Sequence, residues 1–202
     1  MNKKVSFFFG VGLVCSFLLP GIAQTEDSPL PMVQESIDQI IEILNSSEYS
    51  QDKPKGREKI FSLVDERFSW EEIGKRSLGR LWKEQTVEDQ QKYVSLFAQL
   101  LRKIYIDKVE GYAGEKVIYD EEILKGEYAE VRTSVTDQAG IKIPIFYRLL
   151  KKDNSWQVYD VVIEGVSLVK NYRSQFEEIL SAFSFSELLK KIEEKIKEQE
   201  ES

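Results

Sequence analysis

The chain is predicted to fold as α+β, with a curved four-stranded antiparallel sheet covered by helices around an apolar pocket. Three observations carry that prediction. Apolar residues recur at helical spacing from Met32 to about Tyr112, alternate at strand spacing from Lys116 to Ile163, and return to helical spacing from Leu168. The last change is the sharpest. Trp156, Val158, Asp160, Val162 and Glu164 fall on one strand face, and Gln157, Tyr159, Val161 and Ile163 on the other. Gly165 breaks that strand, and Ser167 is placed to N-cap a helix starting at Leu168. Leu168, Tyr172, Phe176, Ile179, Leu180 and Phe183 then form the apolar stripe of that helix.

From the beginning of the chain, Lys3 and Lys4 form a short basic region, Val5 to Leu19 an apolar run, and Pro20-Gly21 a break. Gly21-Ile22-Ala23 offers small residues for cleavage near Ala23, so residues 1–23 read as a signal peptide and the protein as exported. The run is shorter than the roughly 20 apolar residues a membrane span needs. Residues 24–31 read as a flexible leader. A single α+β domain follows over 32–190, and 191–202 form a charged helical tail, expected to fray.

Within the domain, Met32, Val33, Ile37, Ile40, Ile41 and Leu44 mark a first amphipathic helix, with Lys53 to Gly56 read as a linker. Ile60, Phe61, Leu63, Val64 and Phe68 mark a second helix. Ser69 and Glu72 are spaced as a capping box for a third, and Gly79 is placed to stop it. Thr86 and Asp89 resemble the N-cap of the longest helix, whose stripe (Tyr93, Leu96, Phe97, Leu100, Leu101, Ile104, Tyr105) is broad enough to need burial on more than one side. Strands are predicted around Lys116–Leu124, Tyr128–Asp137 and Ile141–Leu149, with turns at Gln138-Ala139-Gly140 and Lys152–Ser155. Pro144 lacks a ladder donor and points to an edge strand or a bulge.

Composition excludes several functions. The one cysteine, Cys15, lies in the leader's apolar run and there is no histidine, so the exported chain has no disulfide, no His or Cys metal site, no cysteine nucleophile and no Ser-His-Asp triad. No cofactor is implied. Removing Lys3 and Lys4 takes the formal charge from −7 to −9. An acidic protein of this kind is a poor nucleic-acid binder and gains nothing from an anionic membrane surface.

Several polar groups invite chemistry and have plainer readings. Asp160 and Glu164, two apart on one strand face, could form an acid–base pair, but salt-bridged or solvated surface carboxylates are by far the favoured reading, since strand faces of antiparallel sheets often look outward. Asn171 and Arg173 flank the apolar face of the last helix and fit an anchor for the strand-to-helix turn, or a contact with an anionic group. Lys75, Arg76 and Arg80 form a local basic cluster whose default is a solvated helix face.

The segment YDVVIEGVSLVKNYRSQF (residues 159–176) resembles the signature of the MlaC family of periplasmic phospholipid carriers, the toluene-tolerance auxiliary proteins. Phe68 to Ile73, Leu78-Gly79-Arg80-Leu81-Trp82, Ile143-Pro144-Ile145 and Tyr147-Arg148-Leu149 extend the resemblance in the same order. Ser69 stands where the family commonly has an acidic residue, and Trp70 where it usually has Phe. The resemblance implies a phospholipid ligand and a shuttle between an inner-membrane ABC transporter complex with its substrate-binding subunit and an outer-membrane lipoprotein complex. By analogy with NTF2-like folds, a cone-shaped sheet capped by helices would enclose the pocket. The lining implied is Val131, Val135, Ile143, Ile145, Tyr147, Tyr159, Val161, Ile163, Val166, Leu168 and Tyr172, with Phe97, Leu101 and Tyr105 from the long helix. Two other readings stay open. One is a protein-binding adaptor with a filled core. The other is a pocket enzyme that uses Tyr147 or Tyr159 with Asp160.

Overall fold

A computed structural model describes residues 28–111, 116–136 and 140–200. The expected signal peptide, the first half of the expected leader and the Gln138-Ala139 part of the expected turn lie outside the described residues. The first helix, α1 (Leu30–Leu44), starts two residues before the apolar pattern indicated. Pro31 occupies its first turn, where a missing N–H costs nothing. The Ser28 hydroxyl donates to Glu122 at 2.6 Å and the Leu30 N–H at 2.9 Å, tying the end of the leader to the sheet.

Two short-range features replace the expected linker. A one-turn helix α2 (Ser47–Gln51) is capped by Ser46, and α3 (Lys53–Arg67) begins at once. Asp52 accepts from the Lys55 N–H at 3.1 Å and Pro54 sits in the first turn, so Lys53-Pro54-Lys55-Gly56 is helix start, not linker. Gly56 permits the Tyr49 ring to pack on the backbone, since a Cβ there would stand 2.1 Å from it. Helix α4 (Trp70–Leu78) follows, but Ser69 does not cap it. Ser69 is buried, and its N–H donates 2.9 Å to the Val158 carbonyl of the sheet. A 3-10 turn (Gly79–Glu84) leads to α5 (Val87–Gly111), which Thr86 does cap, accepting from the Asp89 N–H at 3.1 Å.

The sheet has five strands, not four: β1 (Val117–Lys125), β2 (Tyr128–Thr136), β3 (Lys142–Lys152), β4 (Ser155–Ile163) and β5 (Val166–Ser167), all antiparallel and in chain order. The fifth arises because Glu164 and Gly165 take φ of 51° and 81°, turning the chain tightly enough for Val166 to pair with Ile163. Asp153 and Asn154, at φ 51° and 61°, turn β3 into β4 in the same way. Pro144 is on an inner strand, contrary to expectation. Its carbonyl accepts from the Glu164 N–H at 3.0 Å, so its missing donor points toward β4 just where that strand ends.

One irregularity reassigns a whole strand face. Arg148 pairs with Asp160 but Leu149 with Val158, leaving Tyr159 as an extra residue. Strict alternation would keep Tyr159 with Val161 and Ile163. The bulge instead puts Val158 and Trp156 on their face and turns Tyr159 outward, where the Arg76 guanidinium lies 4.3 Å from its ring centre.

Helices α6 (Leu168–Ala182) and α7 (Phe185–Glu200) complete the chain. Ser167 caps α6 as predicted, accepting from the Lys170 N–H at 3.1 Å. The broad stripe of α5 is buried on two sides. Tyr93, Phe97, Leu100 and Leu101 pack with α4, α6 and α7, while Ile106 packs with Leu44, Tyr49 and Ile60. Contrary to the expected frayed tail, α7 buries Leu188, Leu189, Ile192 and Ile196 in the first of these cores and pairs Glu193 with Lys92 and Glu200 with Lys103 of α5. The third core lies on the inner sheet face, around Val131, Leu149, Trp156 and Val158 with Val33 of α1. Among the described residues no helix is long and apolar enough to cross a membrane.

Candidate functional site

Between the inner face of the sheet and helices α1, α3 and α5 lies a cavity of about 560 Å³. That volume is in the middle of the range for ligand pockets and below the upper end expected for a two-tailed lipid. The sheet contributes Val117, Val135, Ile145, Tyr147, Val158, Val161 and Ile163. Helix α5 contributes Phe97, Leu101 and Tyr105, and the start of α6 contributes Leu168 and Val169. Nine of the fourteen residues singled out from the sequence are therefore on its wall: Phe97, Leu101, Tyr105, Val135, Ile145, Tyr147, Val161, Ile163 and Leu168.

The structure places the other five elsewhere. Val131 is fully buried in the sheet core, behind the wall. Tyr172 is packed in the helical core with its ring edge-on to Phe97, centres 5.0 Å apart. Ile143 is half-buried against the sheet core, and Tyr159 is turned outward by the bulge. Val166, in β5, is exposed.

Sequence reasoning missed the opposite wall. Val33, Ile37, Ile40, Ile41 and Leu44 of α1, with Ile60, Phe61 and Val64 of α3, face the sheet across the void. Their amphipathic spacing was visible, but spacing shows only that a stripe is covered, not by what.

Asp160 is the polar pivot of one end of the cavity. Its side chain is 4% exposed. It accepts from the Ser167 hydroxyl at 2.6 Å, the Val169 N–H at 3.1 Å and Arg148 Nη1 at 3.1 Å. It thus pins the N-terminus of α6, where an anion also suits the helix dipole. Arg148 continues outward to Glu130, which meets Arg132 and then Glu121, so an ion-pair ladder crosses the outer sheet face. Glu164 is exposed in the turn, so the two carboxylates form no acid–base pair. Asp160 is salt-bridged, as the plainer reading had it, but buried rather than at the surface.

Arg173, Lys75 and Arg76 also hold structure together. Arg173 Nε donates to the Arg76 carbonyl at 2.8 Å and packs on Gly79, fastening α6 to the end of α4. Lys75 and Arg76 both pair with Glu72. Burial pushes the Tyr105 and Tyr172 hydroxyls up, the latter to about 12, as expected beside an apolar interior. Among the described residues no group of three or more acidic, histidine or cysteine side chains could hold a metal ion.

The chain is an α+β protein with an apolar cavity walled by sheet and helices, a class of fold that can enclose an apolar ligand. The model of the family described as MlaC protein matches residues 34–194, and the chain belongs to the MlaC family. It is 23% identical over 189 residues to the intermembrane phospholipid transport system binding protein MlaC of Haemophilus influenzae, covering 90% of this chain and 88% of that one. In fold it is similar to the phospholipid-binding protein of Ralstonia solanacearum, solved in complex with a phospholipid. The TM-score is 0.75 at 24% identity, covering 86% of this chain and 99% of that one.

Proposed function

We propose that this protein is a periplasmic phospholipid shuttle and not an enzyme. It carries lipid between an inner-membrane ABC transporter complex, through that complex's substrate-binding subunit, and an outer-membrane lipoprotein complex. The single observation that carries the reading is the cavity of about 560 Å³ in a chain of this family. The named relatives, one a transport-system binding protein and the other solved with a phospholipid, support the ligand class. The signal-peptide pattern of residues 1–23 supports the compartment, and the analogy with NTF2-like folds supports the container.

Moving two acyl chains through water would require roughly 20 kcal/mol, at about 0.8 kcal/mol per methylene. An apolar interior removes most of that barrier. The acyl chains contact Ile145, Tyr147, Val161 and Ile163 from the sheet, Phe97, Leu101 and Tyr105 from α5, and the α1 and α3 stripes opposite. Two full tails need the walls to spread, and α1 and α3 are the elements that do so, because across from much of their inner faces lies cavity rather than packed side chains.

A filled-core adaptor does not need this void. A Tyr–Asp dyad does not suit the geometry either, since Tyr159 points outward and Asp160 is already held by three donors. Native mass spectrometry of the mature protein purified without detergent, followed by lipid extraction, tests the proposal. A stoichiometric phospholipid increment is expected. A clean apo mass with no uptake from vesicles would sink the shuttle.

A further inference from the structure

Several polar atoms around the cavity are committed. The Thr133 hydroxyl donates to the Ile145 carbonyl at 2.9 Å, and the Ser36 hydroxyl to the Met32 carbonyl at 2.7 Å. Asp160 holds three donors, and Arg102 is paired with Asp65. Arg67 differs in having an unpartnered polar atom that is buried. Among the described residues, buried side-chain nitrogens and oxygens without a partner include Arg67 Nε, and it is the one of them that belongs to a cavity-lining side chain.

Arg67 ends α3, and its two terminal nitrogens reach outward over long distances. Nη2 lies 3.9 Å from Glu35 of α1 and Nη1 3.4 Å from Glu66, both carboxylates being mostly exposed. The guanidinium is thus tethered from outside while the Nε–H is sheltered without an acceptor. A guanidinium carries its charge at every accessible pH, and its N–H groups are strong, directional donors. A sheltered N–H of that kind is unfavourable until an oxygen reaches it.

We propose that Arg67 is a ligand-anchoring residue whose Nε–H donates to an oxygen of the glycerophosphate end of the bound lipid. The inference rests on the phospholipid-carriage reading above and adds a polar fix to an otherwise apolar container. It places the polar end of the lipid beside the C-terminus of α3 and the first turns of α1, with the tails running along the sheet toward Ile145 and Ile163. The oxygen belongs either to the phosphate or to an ester, and the ligands chosen below separate the two.

The test uses the delipidated mature chain and three ligands: dihexanoyl phosphatidylglycerol below its micelle concentration, dihexanoylglycerol, and diphenylhexatriene as an apolar probe without oxygen. Arg67→Met is expected to weaken phosphatidylglycerol binding about tenfold, the usual scale of one charge-assisted hydrogen bond, and to leave diphenylhexatriene unchanged. Equal loss for dihexanoylglycerol assigns the acceptor to the ester, and no loss assigns it to the phosphate. Unchanged phosphatidylglycerol affinity overturns the inference, and so does an equal loss for diphenylhexatriene, which would make Arg67 structural. Wild-type protein that takes diphenylhexatriene but neither lipid refutes phospholipid carriage itself, and the anchor with it. The Arg67 Nε–Hε resonance of wild-type protein gives a second reading independent of any variant. It is expected to move downfield with phosphatidylglycerol and not with diphenylhexatriene, and a stationary resonance overturns the inference.

Discussion

Asp160→Ala should destabilise the protein by about 3 kcal/mol, and the structure shows where that figure originates. The substitution leaves the buried Val169 N–H without its acceptor, at about 1–3 kcal/mol. It also removes the acceptor of the buried Ser167 hydroxyl, although that oxygen still caps α6 through Lys170. Breaking a fully buried ion pair costs about 3–5 kcal/mol. Here the loss is smaller, because Arg148 is about one-third exposed and keeps Glu130 as a partner. For a domain of this size each kcal/mol is worth about 2–4 °C, so the midpoint should fall by roughly 6–12 °C. Asp160→Asn retains an acceptor for Val169 and should lose about half as much. Urea and thermal unfolding followed by circular dichroism measure both. The same variants should hold lipid less well, since Leu168 and Val169 line the cavity at the turn Asp160 pins. Unfolding of Asp160→Ala within about 0.5 kcal/mol of wild type would refute the pinning argument. Loss of function at unchanged stability would instead restore a chemical role for the carboxylate.

Ile145→Glu or Ile163→Glu puts a carboxylate on the cavity wall and should abolish lipid uptake from vesicles while the variant still unfolds cooperatively. Retained uptake would remove these residues from the binding surface. Tyr93→Phe deletes the 2.6 Å bond with Ser77, whose hydroxyl still donates to the Gly74 carbonyl. It should cost about 1 kcal/mol in urea unfolding and leave lipid binding unchanged, since Tyr93 packs in the helical core away from the cavity. Lys55, then Lys59, holds the Glu48 carboxyl down to about 2, and Arg57 holds Glu110 below the usual carboxylate range. Both native pKa values are depressed, so their contribution is fully present above the unfolded value of about 4.3 and is lost as pH falls through the native ones. Acid titration of unfolding should therefore show stability declining from about pH 4 toward pH 2, less steeply in Glu110→Gln; an unaltered slope in that variant would refute the assignment.

What the sequence made legible was local. Thr86 and Ser167 could be recognised as caps because a cap and its target N–H lie three residues apart, and the Asp153-Asn154 turn because both residues tolerate positive φ. The wide stripe of α5 announced burial on two sides, and α5 is buried so. Each failure was a matter of register or of distance. One inserted residue at Tyr159 was enough to exchange Tyr159 for Val158 on the cavity face, and only the pairing with β3 reveals it. Val131 and Tyr172 share the apolar character of Val135 and Tyr105, yet the first pair lies behind the wall and the second on it. Hydrophobicity reports removal from water and is the same whether the neighbour is another side chain or a void. The void follows from how the elements are held apart. α1 is tied to β1 at Glu122, and α3 is tied to α5 by Arg57 with Glu110 and Asp107. Each helix is thus fixed near its N-terminal end by polar contacts, and its apolar residues face the sheet across the cavity. A container needs fixed supports beside an unfilled middle, and those polar ties supply one such support for each helix.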